Sequence, residues 1–227
     1  MTVSVAASLT GTIETIENAY TQQHPEIEFR NNFGSSGALA QQIEQGAPVD
    51  LFLSAGAKPV DDLKAKGLAD ANQSRILLRN TLVLITPPNS AIESITQLNT
   101  KQAVKIALGE PSSVPAGQYT VETLKSAKLY DALLPKLVYA KDVRQVLAYV
   151  ESGNAEAGFV YATDASTSGR VRVAQTIPGD LHEPVVYPLA VIAQSTHTEQ
   201  ARQFADYLFS TQAGAVFAAK GFLVSSH

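Results

Sequence analysis

The sequence predicts an α/β protein built on mainly parallel sheets. Short β-branched or apolar segments alternate with longer segments of helical period along its 227 residues, which is the pattern of strand–helix–strand crossover units. Hydrophobic residues make up 45% of the chain, enough to form a core without disulfides. The nine candidate strands are residues 3–7, 27–33, 49–54, 82–86, 105–109, 136–139, 157–161, 171–174 and 187–193.

Amphipathic helices are expected between these strands. Ile13, Ile16 and Tyr20 recur at spacings of three and four residues and predict the first helix. Asp142, with Gln145 three residues later, has the pattern of an N-cap and a capping-box partner at the start of another helix. A last helix is expected over about residues 198–210.

Charge and composition exclude several classes of function. The chain has 17 Lys and Arg against 21 Asp and Glu, and therefore no basic surplus for binding nucleic acid. It has no cysteine, which excludes thiolate metal ligands and cysteine nucleophiles. No apolar stretch approaches the roughly 18 residues needed to span a bilayer, so direct membrane insertion is not expected.

Two irregular, proline-containing stretches predict a division into two lobes. Residues 86–89 follow one apolar strand, and residues 184–188 precede another. If the chain leaves the first lobe near Leu84 and returns near Tyr187, that lobe consists of residues 1–83 plus 187–227. The second lobe is then residues 84–186. Two strands would connect the lobes and act as a hinge.

Small-residue turns between strands and helices are the candidate sites of binding. Each presents unpaired backbone N–H groups at the positive end of a helix dipole, and small side chains let an anion approach. Pro115 suits a first helical turn, because the N–H that it lacks would have no partner there. Simple helix capping by these Ser and Thr residues is the alternative. The turns are residues 6–10, 33–37, 114–117 and 141–143.

Three further side chains bear on such a site. Tyr161 ends a Gly-Phe-Val-Tyr strand, which places it at the carboxyl edge where open α/β sheets bind ligands; an ordinary half-buried strand tyrosine is the alternative. We expect the Asp142 carboxylate to cap its own helix, because it would repel an anion. We expect Arg144 to form a structural ion pair.

An enzyme is not expected. The chain contains no nucleophile elbow, phosphate-binding loop, dinucleotide fingerprint or zinc-protease motif. Its four histidines lie far apart in the sequence and suggest no general base. A hydrolase that uses Ser8 or Ser36 as the nucleophile would need such a base within hydrogen-bond reach.

Six ordered blocks of sequence resemble one family across nearly the whole chain. They are AASL at 6–9, FGSSGALAQQI at 33–43, GAPVDLFLSA at 46–55, VPAG at 114–117, DVR at 142–144 and GFVY at 158–161. The chain resembles the periplasmic molybdate-binding proteins of ABC-type molybdate transporters, which are type II periplasmic binding proteins. Gly37 differs, since some relatives carry another serine there.

The resemblance implies a two-lobed receptor that captures molybdate or tungstate in a cleft between its lobes and delivers it to a membrane permease. It implies no other cofactor and a monomer in the periplasm or another extracytoplasmic location, its signal peptide absent from this sequence. A receptor for sulfate or phosphate is the alternative within the same class. A regulator's sensing domain is less expected, because no helix-turn-helix precedes Val3. The implied oxyanion ligands are the hydroxyl and backbone donors of Ser8 and Ser36, the N–H groups of Ala116 and Val143, and the phenol of Tyr161.

Overall fold

The computed structural model of the protein describes residues 1–224, apart from the side chains of residues 71–73. The strands are β1 (Thr2–Ala6), β2 (Arg30–Gly34), β3 (Leu51–Leu53), β4 (Ala69–Arg79), β5 (Leu82–Thr86), β6 (Ile106–Gly109), β7 (Leu137–Ala140), β8 (Ala157–Tyr161), β9 (Arg172–Thr176), β10 (Val186–Ile192) and β11 (Leu223–Val224). The helices are α1 (Thr12–Thr21), α2 (Ser36–Glu44), α3 (Ala57–Ala65), α4 (Pro115–Ser126), α5 (Tyr130–Leu133), α6 (Val143–Glu151), α7 (Ala162–Ala165), α8 (Thr198–Leu208) and α9 (Thr211–Ala219). Short 3-10 helices cover Ala7–Leu9, Ile95–Asn99 and Leu134–Lys136.

The chain divides into two compact units. The first contains Met1–Arg79 and the described residues from Val186 onward, and the second contains Asn80–Val185. Residues 80–83, which the sequence placed in the first lobe, belong to the second because β5 pairs with β8 from Leu82 onward. Val186 belongs to the first unit, because it begins β10 and pairs with Arg79 of β4.

The first unit is built on a six-stranded sheet in the order β11-β4-β10-β3-β1-β2. Strands β2, β1 and β3 are parallel, as the sequence predicts. The sheet as a whole is mixed rather than mainly parallel, because β10 is inserted antiparallel between β3 and β4. A strand that runs parallel to the strand before it must be reached through a crossover connection. Strand β10 needs no such connection, because the chain enters it directly from the second unit.

The second unit has a five-stranded sheet in the order β7-β6-β8-β5-β9. Strands β7, β6 and β8 are parallel, whereas β5 is antiparallel to both β8 and β9. This sheet is therefore mixed as well. In each unit the parallel half carries the strand-to-helix turns singled out in the sequence.

Helix packing follows the apolar stripes. Ile13, Ile16 and Tyr20 of α1 are buried, which confirms the first predicted helix. The helix predicted over residues 198–210 ends at Leu208, because the Ser210 hydroxyl caps a further helix, α9, by accepting from the Ala213 N–H. Among the described residues, no helix has the length and apolar character needed to cross a membrane.

Candidate functional site

Three parallel strands of the first unit end in serine-containing turns at one edge of the sheet. Their order is β3-β1-β2, with Ala6 opposite Gly34 and Val5 opposite Leu53. Ser8 follows β1 within the 3-10 turn, Ser36 follows β2 as the first residue of α2, and Ser54 follows β3 directly. Carboxyl ends of parallel strands are where open α/β sheets bind ligands.

The hydroxyl oxygens of Ser8 and Ser36 both accept hydrogen bonds from the protein. The Tyr187 phenol donates to Ser8 Oγ at 3.0 Å, and the Ala55 backbone N–H donates to Ser36 Oγ at 2.9 Å. The two serines are 5% and 1% exposed. A hydroxyl has one hydrogen to donate, and neither serine hydroxyl donates it to an acceptor among the described residues. Both hydroxyls can therefore donate to a further acceptor at this edge of the sheet.

These two hydrogen bonds cross over the strand ends and bring the serines together. Ser36 follows β2 and its partner Ala55 follows β3, so their bond passes over the end of β1, where the chain turns into Ser8. Tyr187 lies on β10, and its hydroxyl passes over the end of β3 to reach Ser8. The sheet therefore gathers both serine hydroxyls over the end of β1.

The second unit presents backbone donors at the corresponding edge of its sheet. Helix α4 follows β6, α6 follows β7, and these neighbouring parallel strands are in register with Gly109 opposite Ala140. Ala116 is the second residue of α4 and Val143 the first of α6, and both are buried. First-turn N–H groups have no acceptor inside their own helix. Neither of these two N–H groups donates to another acceptor in the described part of the chain.

The start of α4 packs against the end of β6 more closely than a side chain would allow. A Cβ at Gly117 would lie 1.9 Å from the Gly109 carbonyl oxygen, and a Cβ at Gly109 would lie 2.3 Å from Val114 Cγ1. Two glycines therefore set where the Ala116 N–H points. Gly117 lies in one of the turns singled out from the sequence, but residue pattern alone does not show this close approach.

Tyr161 is the last residue of β8 and is 1% exposed. Its backbone pairs with Leu82 of β5, and α7 begins at the next residue. The side chain is therefore fully buried, rather than half-buried as in the alternative considered from the sequence. Burial favours a phenol whose hydroxyl has a defined partner.

Asp142 caps its own helix, as predicted. Its Oδ1 accepts from the Gln145 N–H at 2.8 Å. The Gln145 side chain reaches back to the Lys141 N–H at 2.8 Å, one residue before the position that a standard capping box would use. Because the carboxylate is engaged in this way, Asp142 helps to fix the start of α6 and thus the Val143 N–H.

Arg144 forms the structural ion pair that the sequence predicts. Its Nε lies 3.6 Å from Asp164 Oδ1, and its Nη1 donates to Thr167 Oγ1 at 3.1 Å. Asp164 is buried, which raises the pKa of its carboxyl to about 7, although Arg144 and a backbone hydrogen bond from Tyr161 lower it. The pair ties the start of α6 to the short helix after Tyr161.

The donor set suits an anion rather than a cation. Within residues 1–224, no group of three or more His, Asp or Glu side chains is placed to hold a metal ion. The groups described above are hydroxyls and backbone N–H groups, which interact favourably with negative charge at helix N-termini.

Two residues of this candidate site were not predicted as such from the sequence. Tyr187 was named only as the start of a strand and of the return to the first lobe, and Ala55 only as part of a sequence block that resembles the family. The sequence does contain a signal of irregular strand pairing at Tyr187. Pro188 follows it inside an apolar run, and a proline in a central strand indicates a bulge in the pairing. The register of β10 against β4 does shift between Tyr187 and Pro188.

The fold and these sites are typical of receptors that bind a small solute. Residues 1–223 match the family of bacterial extracellular solute-binding proteins, and the chain belongs to this family. Its members are binding proteins and not enzymes, in agreement with the prediction from the sequence.

Several proteins of known name are similar over nearly the whole chain. The molybdate-binding protein ModA of Haemophilus influenzae is 38% identical over 98% of this chain and 89% of its own length. ModA of Escherichia coli K12 is 38% identical over 99% of this chain and 89% of its own length. A Bacillus subtilis 168 protein, provisionally named as an ABC transporter substrate-binding lipoprotein, is 43% identical over 98% of this chain and 85% of its own length.

Solved structures confirm the fold class. The periplasmic molybdate-binding protein of Azotobacter vinelandii superposes with a TM-score of 0.88 at 24% identity, covering 100% of both chains. The sulfate-binding protein SubI of Mycobacterium tuberculosis superposes with a TM-score of 0.83 at 16% identity, covering 98% of this chain and 85% of its own. The predicted architecture of a type II periplasmic binding protein is therefore confirmed.

Proposed function

We propose that this protein binds molybdate and delivers it to the membrane permease of an ABC transporter. The observation that carries the proposal is the orientation of the Ser8 and Ser36 hydroxyls, whose oxygens accept from the protein and whose hydrogens are left to donate. The two ModA relatives at 38% identity support molybdate as the solute. In the second unit, the Ala116 and Val143 N–H groups and the Tyr161 phenol complete the proposed donor set.

A binding site that contains hydrogen-bond donors but no acceptors selects an anion that carries no proton. Hydrogen phosphate keeps one proton at neutral pH, and that proton would need an acceptor. Sulfate carries none, so it must be rejected by size, because its shorter bonds cannot reach all donors at once. Tungstate nearly matches molybdate in size and charge, and we propose that it binds about equally.

The energy available is sufficient for an uptake receptor. Charge-assisted hydrogen bonds contribute about 1.5 to 3 kcal/mol each, so five to seven of them contribute on the order of 10 to 15 kcal/mol. Association costs and the desolvation of a dianion reduce this sum. A dissociation constant between micromolar and nanomolar corresponds to about −8 to −12 kcal/mol, which is compatible with what remains.

The remaining features of the proposal follow from the family and the composition. We propose that the protein works outside the cytoplasmic membrane, in the periplasm where the cell has one, as a monomer with no cofactor besides its anion. The partners are the tetrahedral oxyanion and the permease.

Isothermal titration with molybdate, tungstate, sulfate, phosphate and chromate under one set of conditions tests the proposed function. We expect molybdate and tungstate to bind at micromolar or tighter affinity and phosphate to bind far more weakly. Tighter binding of sulfate or phosphate than of molybdate would establish the alternative receptor and overturn the proposal.

Thermal unfolding gives a second test with the same anions. A ligand that binds only the folded state adds about 2.7 kcal/mol of stability at a concentration of 100 times its dissociation constant. We therefore expect molybdate and tungstate to raise the melting temperature, and phosphate at equal concentration to leave it nearly unchanged. An equal rise with phosphate would contradict a site made only of donors.

Ser36→Ala and Tyr161→Phe are each expected to weaken molybdate binding by about 1 to 3 kcal/mol, because each removes one hydroxyl donor to an anion. Titration calorimetry measures the change, and thermal unfolding without ligand should show that both variants fold. Ser112→Ala and Tyr139→Phe are matched controls at an exposed serine and a 41% exposed tyrosine. Wild-type affinity in both site variants would remove these hydroxyls from the site.

A further inference from the structure

Tyr187 is placed where it can decide which way the Ser8 hydroxyl points. It lies on β10, two strands away from β1, and is 1% exposed. Its ring packs edge-on against Phe222, with centroids 5.5 Å apart and planes at 83°. The phenol donates to Ser8 Oγ at 3.0 Å. The position of this donor is therefore set by the sheet and not by the Ser8 turn itself.

The pairing of β10 with β4 is irregular beside this side chain. Tyr187 lies opposite Leu78 and Pro188 opposite Ile76, so β4 has one extra residue, Leu77, at this step. Pro188 has no N–H group, so the irregular pairing leaves no backbone donor of this residue without a partner. Its carbonyl oxygen accepts a hydrogen bond from the Ser54 N–H at 2.9 Å. That bond holds the turn whose next residue, Ala55, donates to Ser36. Both serines thus depend on one short stretch of β10.

We propose that Tyr187 is a specificity-determining residue, which orients the Ser8 hydroxyl so that its hydrogen points to the bound anion. The proposal rests on the proposed function, because it assigns Ser8 to the oxyanion site. A serine hydroxyl without this partner can rotate and accept a hydrogen bond as readily as it donates one. The bond from Tyr187 occupies one of the two lone pairs of Ser8 Oγ and directs the hydroxyl hydrogen away from Tyr187. Ser8 is therefore a poorer acceptor for a protonated oxyanion such as hydrogen phosphate.

Tyr187→Phe removes the donor and keeps the ring against Phe222. We expect molybdate and sulfate to bind about tenfold more weakly, because Ser8 loses its preferred orientation. We expect phosphate to bind as well as before or better, since the freed Ser8 hydroxyl can rotate and accept a hydrogen bond from the phosphate O–H. The ratio of molybdate to phosphate affinity therefore falls at least about tenfold, as measured by titration calorimetry at pH 8.

Tyr207→Phe is the matched control. It removes another phenol hydroxyl from the same unit, and the Tyr207 hydroxyl is buried without a hydrogen-bond partner among the described residues. This variant should keep the wild-type affinity ratio. Thermal unfolding of both variants without anion shows that they fold.

A purely structural role for Tyr187 predicts a different result, namely equal weakening of every anion. Equal weakening, or a Tyr187→Phe protein that rejects phosphate as strongly as the wild type, overturns the proposal for Tyr187 and leaves the proposed function intact. If the wild type binds sulfate but not molybdate, the proposed function fails and the sulfate-to-phosphate ratio decides on Tyr187. If it binds no anion of this panel, both proposals are overturned.

Discussion

Replacing Gly117 by alanine is expected to abolish tight molybdate binding and to destabilise the second unit. The new Cβ would lie 1.9 Å from the Gly109 carbonyl oxygen, and the atom that it meets is backbone and cannot rotate away. Overpacking of this kind costs about 1 to 3 kcal/mol and occasionally more. The first turn of α4 must therefore move away from β6, and the Ala116 N–H moves with it.

The expected loss of affinity is larger than that from removing one hydroxyl. A displacement of about 1 Å at a preorganised site can cost a factor of about 100, and Ala116 precedes the substituted residue directly. Titration calorimetry with molybdate measures the affinity, and urea denaturation measures the stability. Both quantities should fall together.

Gly169→Ala is the matched control in the same unit. An added Cβ there meets nothing within 4 Å, so the change in stability should stay within about 0.5 kcal/mol. If Gly117→Ala binds molybdate as tightly as Gly169→Ala does, the start of α4 does not contribute to the site.

The predicted strands show what sequence pattern can and cannot resolve. All nine candidate strands exist, with bounds that differ by a few residues. Strand β4 was missed, because its first half, Ala-Asp-Ala-Asn-Gln, has neither an apolar run nor β-branched residues. The antiparallel insertion of β10 was missed as well. Direction of pairing depends on where a strand re-enters a sheet, which residue pattern does not encode.

The candidate site shows the same division between local and distant information. Helix starts at Ser36, Pro115 and Val143 were predictable from local turn and capping patterns. The hydroxyl orientation of Ser8 was not, because its partner Tyr187 is 179 residues away in sequence. The proposed site of donors thus depends on strand order, and the sequence alone indicated only which residues could take part in it.

Stability is expected to depend on pH through a buried carboxyl that is not one of the proposed ligands. Glu17 of α1 is 5% exposed, and its Oε2 accepts from Asn31 Nδ2 at 2.6 Å. Its Oε1 and the Asn31 Oδ1 are both buried acceptors with no hydrogen-bond partner among the described residues. A proton on Glu17 turns one of these acceptors into a donor, so the protonated acid suits this environment.

The pKa of Glu17 is raised from 4.5 to about 7. Burial is the main cause, the bond from Asn31 lowers the pKa, and the charge of Glu14 adds a smaller increase. Because the folded state binds this proton more tightly than the unfolded state, the stabilisation is complete below pH 4.5. It is lost as the pH rises through about 7. At 1.36 kcal/mol per pH unit, the difference is roughly 3 kcal/mol.

Glu17→Gln should remove this dependence, because glutamine cannot ionise and its amide can still pair with Asn31. Urea denaturation at pH 5 and pH 8 measures the effect as the difference between variant and wild type, which cancels the parallel titration of Asp164. Relative to wild type, the variant should gain about 2.5 kcal/mol between the two pH values, because part of the wild-type stabilisation is already lost at pH 5. Glu199→Gln, at an exposed position on α8, should follow the wild-type profile. If the stability of Glu17→Gln and that of wild type change in parallel with pH, Glu17 is ionised in the folded protein across this range. The bond from Asn31 and contact with solvent would then stabilise the buried carboxylate.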